Sequence, residues 1–174
     1  GYTHYGPTPG LPELREAIAR NSREVRGIDT DPFHVVVTPG AKPIMFYVIL
    51  ALAEPGVEVI YPNPGFPIYE SMIRFSGATP VPMQLLEEKS YHPDLADFAN
   101  KITDKTKLII LNSPENPCGS ALTNEELQEI AKIIEISVIL EIISLIFFTF
   151  SITSGINFCP PNPGKTLIIK TKSI

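Results

Sequence analysis

The stretch Asn112-Ser113-Pro114-Glu115-Asn116-Pro117-Cys118-Gly119-Ser120 follows an apolar run, Lys107-Leu-Ile-Ile-Leu111, and precedes a segment with helical spacing, Thr123 to Glu135. The apolar run reads as a buried strand. Thr123 and Glu126 have the spacing of a capping box, which marks where the helix starts. Strand, rigid loop and helix in that order put the loop outside the carboxyl end of a sheet strand, where open α/β sheets bind ligands. Pro114 and Pro117 bracket Asn116 and limit the backbone around it. An asparagine held in this way offers both an amide donor and a carbonyl acceptor to a bound polar ring. The same residues also read as a plain proline-rich turn between strand and helix.

The chain around this loop has 174 residues, enough for one domain with a real core. Hydrophobic residues make up 44% and charged residues 19%, which excludes a disordered chain. The net charge of −5 argues against nucleic acid as a partner. Two cysteines, Cys118 and Cys159, do not make a disulfide framework, so a reducing, cytoplasmic setting is the simplest expectation. The chain opens Gly1-Tyr2-Thr3, with neither methionine nor a signal-like segment, and reads as an excised piece of something longer.

Upstream, the same strand–loop–helix unit recurs. Gly1 to Gly10 has a loop composition, and Leu11-Pro12 opens a helix with a plausible stop at Gly27. His34-Val-Val-Val-Thr38 reads as a short strand that runs through Pro39-Gly40-Ala41-Lys42-Pro43 into an apolar helix, Ile44 to Ala53. Backbone amides at such a joint face outward, the helix dipole favours an anion there, and Lys42 adds charge. This is a candidate phosphate cradle, although strand–Gly–helix joints are common without one. Gly56 to Tyr61 is the next strand, followed by Pro62-Asn-Pro-Gly-Phe-Pro67 and a helix over residues 68–75. Phe66, at the loop tip, is either core or a face offered to a planar ligand. A strand over residues 79–83, a charged connection over 85–92 and a helix over 94–102 complete the alternation. The pattern predicts an α/β protein with a largely parallel sheet. The loops Thr38–Lys42, Pro62–Pro67 and Asn112–Gly119 then face one edge and suggest a shared site.

After Glu135 the character changes. Residues 136–153 are apolar with a single acid, Glu141. Buried strands are expected here rather than a membrane helix, because Glu141 lies inside the run and no basic cluster flanks it. A loop over residues 154–164 and a strand over 166–169 follow.

Taken together, Tyr5…Gly10-Leu-Pro-Glu-Leu-Arg-Glu-Ala-Ile18, Val36-Val-Thr-Pro-Gly-Ala-Lys42, Glu58-Val-Ile-Tyr-Pro-Asn-Pro-Gly-Phe-Pro-Ile-Tyr69 and Asn112-Ser-Pro-Glu-Asn-Pro-Cys-Gly119 resemble the class I/II aminotransferases, pyridoxal-phosphate enzymes of fold type I. The resemblance is close over residues 1–135 and fragmentary over 136–174. It implies a three-layer αβα fold with a mostly parallel sheet, this chain being an incomplete large, cofactor-binding domain. It implies pyridoxal 5'-phosphate as cofactor, an amino acid and a 2-oxo acid as substrates, and a homodimer. By position, Gly40, Ala41 and Lys42 would line the cofactor phosphate, and Phe66 would stack on the pyridine ring. Asn116 would bond the ring's phenolic oxygen and help place the substrate carboxylate. Tyr5 would reach the phosphate of the neighbouring subunit. Cys118 stands where the family usually has threonine.

The chain also departs from the family's pattern. The family's Asp-Glu-Ile-Tyr-Ser is matched only by Leu140-Glu141-Ile142-Ile143-Ser144, which puts leucine in the place of the acid that protonates the ring nitrogen. Residues 165–174 echo the strand before the Schiff-base lysine, with Ser173 in the place of a serine and Ile174 in the place of the lysine. Lys170 and Lys172 lack matching spacing and read as solvated lysines. No catalytic residue and no metal ligand is therefore assigned. Two functional readings follow: transamination by family resemblance, in a chain incomplete for catalysis; or a degenerate, non-enzymatic relative that at most binds the cofactor or pairs with a full-length homologue. A nucleotide-binding α/β domain is a weaker third, for lack of a Gly-x-Gly-x-x-Gly signature.

Overall fold

A computed structural model describes residues 3–136, 154–157 and 168–173. Helix α1 (Pro12–Arg26) has proline in its first turn and ends on Gly27, whose φ of 67° lets its N–H turn back to the carbonyls of Ser22 and Arg23. Helix α2 (Ala41–Leu52) leads to β1 (Glu58–Asn63), α3 (Ile68–Phe75) and β2 (Thr79–Leu86). Strand β3 (His92–Pro93), α4 (Leu95–Lys101), β4 (Thr106–Asn112) and α5 (Asn124–Ile136) follow. Strands β5 (Ser154–Asn157) and β6 (Ile168–Ser173) complete the described elements.

The strands form one sheet in the order β3-β2-β1-β4-β6-β5. The β1–β2, β1–β4 and β4–β6 pairs are parallel, while β3 and β5 pair antiparallel at the ends. Alternate β1 and β4 residues enter two cores. Val59, Tyr61, Leu108 and Ile110 pack with α2 and α3 residues Ile44, Val48, Ile49, Tyr69 and Ile73. Ile60, Ile109 and Leu111 pack on the other face with Phe98 of α4 and Ile130 and Ile134 of α5. Covered on both faces, these strands carry no polar stripe, and β4 reads Lys-Leu-Ile-Ile-Leu because nearly every position is inside. The three-layer α/β fold with a mostly parallel sheet is the fold of the molecule.

Two expectations of local structure are corrected. His34–Thr38 is not a strand: Pro32–His34 is a turn of 3-10 helix started by the Asp31 carboxylate, which accepts the Phe33 N–H. Beyond it, the Val37 N–H bonds the carbonyl of Pro9 (2.9 Å) rather than a strand partner. Val35 is buried against Ile18 and Ala19 of α1, so the valines serve packing rather than a ladder. Ser154–Asn157, expected as loop, is a strand paired with β6. Residues 137–153 of the apolar run lie outside the described residues, as do Cys159 and Ile174; Leu140 falls within that stretch.

Candidate functional site

From β1 the chain crosses to β2 on one side and then to β4 on the other, so the strand order reverses between β1 and β4. Their carboxyl ends, Asn63 and Asn112, therefore open a crevice at the topological switch point, where open α/β sheets take their ligands. The loops that leave these two ends are Pro62–Pro67 and Asn112–Ser120.

The first loop is set by close approach. A Cβ on Gly65 would lie 2.2 Å from the Pro62 carbonyl oxygen, so only glycine fits. Phe66 is partly buried and meets the buried Tyr69 of α3 edge-on, ring centroids 6.0 Å apart. The Lys42 ammonium lies 5.8 Å from the centroid of the Phe66 ring. That contact joins the start of α2 to the β1 loop, although Lys42 and Phe66 are far apart in sequence.

At the start of α2, Gly40 has φ 96° and no side chain caps the helix. The Thr38 hydroxyl donates instead to the Gly40 carbonyl at 2.7 Å, shaping the turn below the first helical N–H groups. Gly40, Ala41 and Lys42 are all exposed, and a Cβ on Gly40 would meet nothing within 4 Å. An open, uncapped helix start beside a lysine leaves unpaired N–H groups and positive charge at the surface.

The second loop is held by hydrogen bonds. The Glu115 N–H donates to the Ser120 carbonyl, and the Gly119 N–H donates to the Glu115 carbonyl, both at 2.7 Å. The Ser113 hydroxyl accepts the Leu122 N–H (2.9 Å), and the Ser120 hydroxyl donates to the Tyr91 carbonyl (2.9 Å). Downstream the capping box forms as its spacing predicts: the Thr123 N–H donates to Glu126 at 2.8 Å, and the Glu126 N–H to the Thr123 hydroxyl at 3.1 Å. The peptide bonds before Pro64, Pro114 and Pro117 are cis. Asn116 is exposed at the loop tip, whereas Glu115 beside it is only 4% exposed. Burial pushes the Glu115 carboxyl up to about 7, against the opposing pull of Asn112 and of the Asn116 backbone N–H. Burial also raises the Tyr69 phenol and, with Glu115 nearby, the Cys118 thiol.

Of the residues singled out in the sequence, Lys42 and Phe66 are brought together, Gly40 and Ala41 precede Lys42 at the open start of α2, and Asn116 stands on the loop of the adjoining strand. Tyr5 is fully exposed, without a described contact to these residues. Sequence reasoning missed Gly65, Tyr69 and Glu115. The Asn-Pro-Gly-Phe-Pro string flagged Gly65 as a turn residue, but nothing local signalled that Glu115 is buried.

Strand topology, the glycine-opened helix start and an asparagine between prolines define an open α/β domain with a crevice at its switch point. The particular family follows from comparison. Residues 1–154 match the family model for aminotransferase class I and II. A probable aspartate/prephenate aminotransferase of Aquifex aeolicus is 41% identical over 132 residues, which are 76% of this chain and 34% of that protein. The aspartate/prephenate aminotransferase of Thermus thermophilus is 38% identical over 133 residues, again 34% of its length. Among solved structures, Thermus thermophilus aspartate aminotransferase with maleate superposes with TM-score 0.73 at 33% identity, covering 84% of this chain and 37% of that one. The alanine aminotransferase of Pyrococcus furiosus gives 0.77 at 27% identity, over 98% of this chain and 44% of that one. This chain belongs to the class I and II aminotransferases. It spans about a third of the length of the curated relatives it matches.

Proposed function

We propose that this chain is the cofactor-holding part of a pyridoxal-phosphate-dependent aminotransferase that moves an amino group between an amino acid and a 2-oxo acid. The observation that carries the reading is the contact of Lys42, at the start of α2, with Phe66 on the loop after β1, the strand that borders β4 and its Asn116 loop at the switch point. The residues fit the cofactor: the space over Gly40 is open, no side chain caps α2, the Phe66 ring lies beside Lys42, and the Asn116 amide is exposed on the loop after β4. When bound, pyridoxal phosphate supplies an electron sink for the substrate Cα.

In this reading the N–H groups at Gly40 and Ala41 and the Lys42 ammonium hold the phosphate. Phe66 covers one face of the ring, and its edge contact with Tyr69 keeps it from turning away. Asn116 donates its amide to the ring's phenolic oxygen and helps orient the substrate carboxylate. Tyr5, fully exposed, extends to the phosphate site of a second subunit in a homodimer. Relatives with this fold are named for aspartate, alanine and methionine, so substrate choice rests on residues other than these loops.

Leucine at position 140 and isoleucine at 174, in the places of the ring-nitrogen acid and the reactive lysine, favour a second reading: a relative that holds the cofactor without turning it over. Borohydride reduction of the protein mixed with pyridoxal phosphate, followed by peptide mapping, separates the two. A label on Lys170 or Lys172 together with amino transfer supports the enzyme; noncovalent binding without transfer supports the silent relative. Under either reading, Asn116→Ala weakens cofactor affinity by roughly tenfold, the worth of one hydrogen bond to an ionised oxygen. Unchanged affinity removes Asn116 from the site.

A further inference from the structure

We propose that Ser120 is a positioning residue for Asn116: its hydroxyl ties the loop that carries Asn116 to the left-handed turn before β3. The proposal rests on the reading of Asn116 as a cofactor contact for its functional meaning, though not for its geometry.

Asn116 is exposed, so the direction of its side chain is set mainly by the backbone beneath it. The Gly119 N–H donates to the Glu115 carbonyl, which belongs to the peptide that joins Glu115 to Asn116. The Glu115 N–H donates to the Ser120 carbonyl. Asn116 therefore lies inside a ring that closes on Ser120. The Leu122 N–H, bonded to the Ser113 hydroxyl, joins the exit of the loop to its entry. These bonds all run within one stretch of chain, so they fix its shape more than its orientation. The Ser120 hydroxyl reaches outside that stretch: it donates to the Tyr91 carbonyl at 2.9 Å, 29 residues away in sequence.

The acceptor is presented by an unusual backbone. Ser90 has φ 52° and Tyr91 φ 59°, in the left-handed region that residues with side chains seldom adopt. For Ser90 the reason is local, since it ends the 3-10 turn Glu87–Lys89 with its N–H on the Glu87 carbonyl. Tyr91 repeats the conformation one residue further on, and the contacts that follow lie outside the turn. Its carbonyl meets Ser120, and the next residue, His92, meets Glu126 Oε1 through Nδ1 at 2.8 Å. Glu126 in turn accepts the Thr123 N–H at 2.8 Å. One turn thus holds the chain at two points, where the Asn116 ring closes and where α5 begins. The half-buried Tyr91 side chain lines a small cavity with Asn112, Glu115 and Ser120, so the turn packs against the loop as well as bonding to it. Strained backbone persists where the surrounding contacts over-determine it, and it gathers at sites that depend on fixed geometry.

Two measurements on the full-length protein test this. Without cofactor, amide exchange at Glu115 and Gly119 in Ser120→Ala is compared with the wild type. Protection at both is expected to fall several-fold, while Ile109 to Leu111 of β4 keep theirs. Unchanged protection at Glu115 and Gly119 overturns the proposal, and so does an equal fall along β4, which a merely structural role would give. With pyridoxal 5'-phosphate, Ser120→Ala is expected to weaken affinity roughly threefold to tenfold, the range of one neutral hydrogen bond. In an Asn116→Ala background the same substitution is expected to change affinity by less than about twofold, because the residue it positions is gone. Equal losses in both backgrounds overturn the proposal. If Asn116→Ala alone leaves affinity unchanged, the cofactor reading of Asn116 fails and the positioning role with it, whereas the exchange comparison still decides whether Ser120 anchors the loop.

Discussion

The loops after β1 and β4 reach the same edge of the sheet by different physical means. Pro62–Pro67 is a steric solution: Gly65 lets two stretches of backbone come together where no side chain fits, and Phe66 locks against Tyr69. Asn112–Ser120 is a polar solution, closed by backbone bonds between Glu115, Gly119 and Ser120 around a buried carboxyl. A steric lock is insensitive to pH but intolerant of a single added atom group. A polar lock accepts small changes of shape but carries a charge in a dry place. One loop is thus held by shape and the other by hydrogen bonds around a carboxyl whose charge depends on pH.

Breaking the steric lock gives the largest effect. In Gly65→Ala the new Cβ meets the Pro62 carbonyl oxygen at 2.2 Å; the backbone fixes the position of both, so no rotamer relieves the clash. A loss of about 3 kcal/mol is expected, at the upper end of overpacking costs. Denaturant melts measure it, and the loss is the same at acid and alkaline pH. A variant as stable as the wild type would mean that the β1 loop is not held by close approach.

The polar lock is tested by pH. Glu115 titrates near 7 in the fold, above the ordinary carboxylate value, chiefly because it is buried. Below the unfolded value both states are neutral and nothing is lost. As pH rises through about 7, the folded protein gives up a proton in a dry site, and stability falls. Glu115→Gln removes that slope. The variant is therefore expected to be more stable than the wild type above about pH 8, by roughly 2 kcal/mol, with the gap closing below about pH 5. Parallel stability profiles for the two proteins would place the titration elsewhere. The Glu115 carboxylate thus costs stability when charged, because its site is dry.

Much of this architecture was legible in local sequence. The apolar β4 run, the Thr123–Glu126 box, the Pro12 start and the Gly27 stop each carry their cause within a few residues. The loops after β1 and β4 were legible because strand–loop–helix order sends them to one edge, whereas the approach of Lys42 to Phe66 does not follow from that order, since no strand precedes α2. What failed depended on distant partners. Val35 to Val37 has strand composition, but α1 and Pro9 take up its contacts instead of a neighbouring strand. Ser154–Asn157 has loop composition, yet β6 supplies a ladder. Glu115 looked like a polar residue in a turn, and its burial is produced by Tyr69, Tyr91 and Leu122, which approach from other elements.

The smallest effect lies at the junction that separates the loop from the rest of the molecule. Thr123→Ala leaves the Glu126 N–H without its hydroxyl acceptor and is expected to cost about 1 kcal/mol, the usual worth of an N-cap. The loss stays that small because Glu126 also meets His92 Nδ1 at 2.8 Å, which pins the start of α5 to β3 independently of the cap. The loop bonds of Glu115, Gly119 and Ser120 lie upstream of this junction and do not pass through Thr123. Exchange protection at Asn116 should therefore be nearly unchanged in Thr123→Ala, although the helix frays by one turn. If it falls with the helix, the polar lock is not a local device of the loop but an extension of the helix cap, and the contrast between the two loops reduces to one of helix stability.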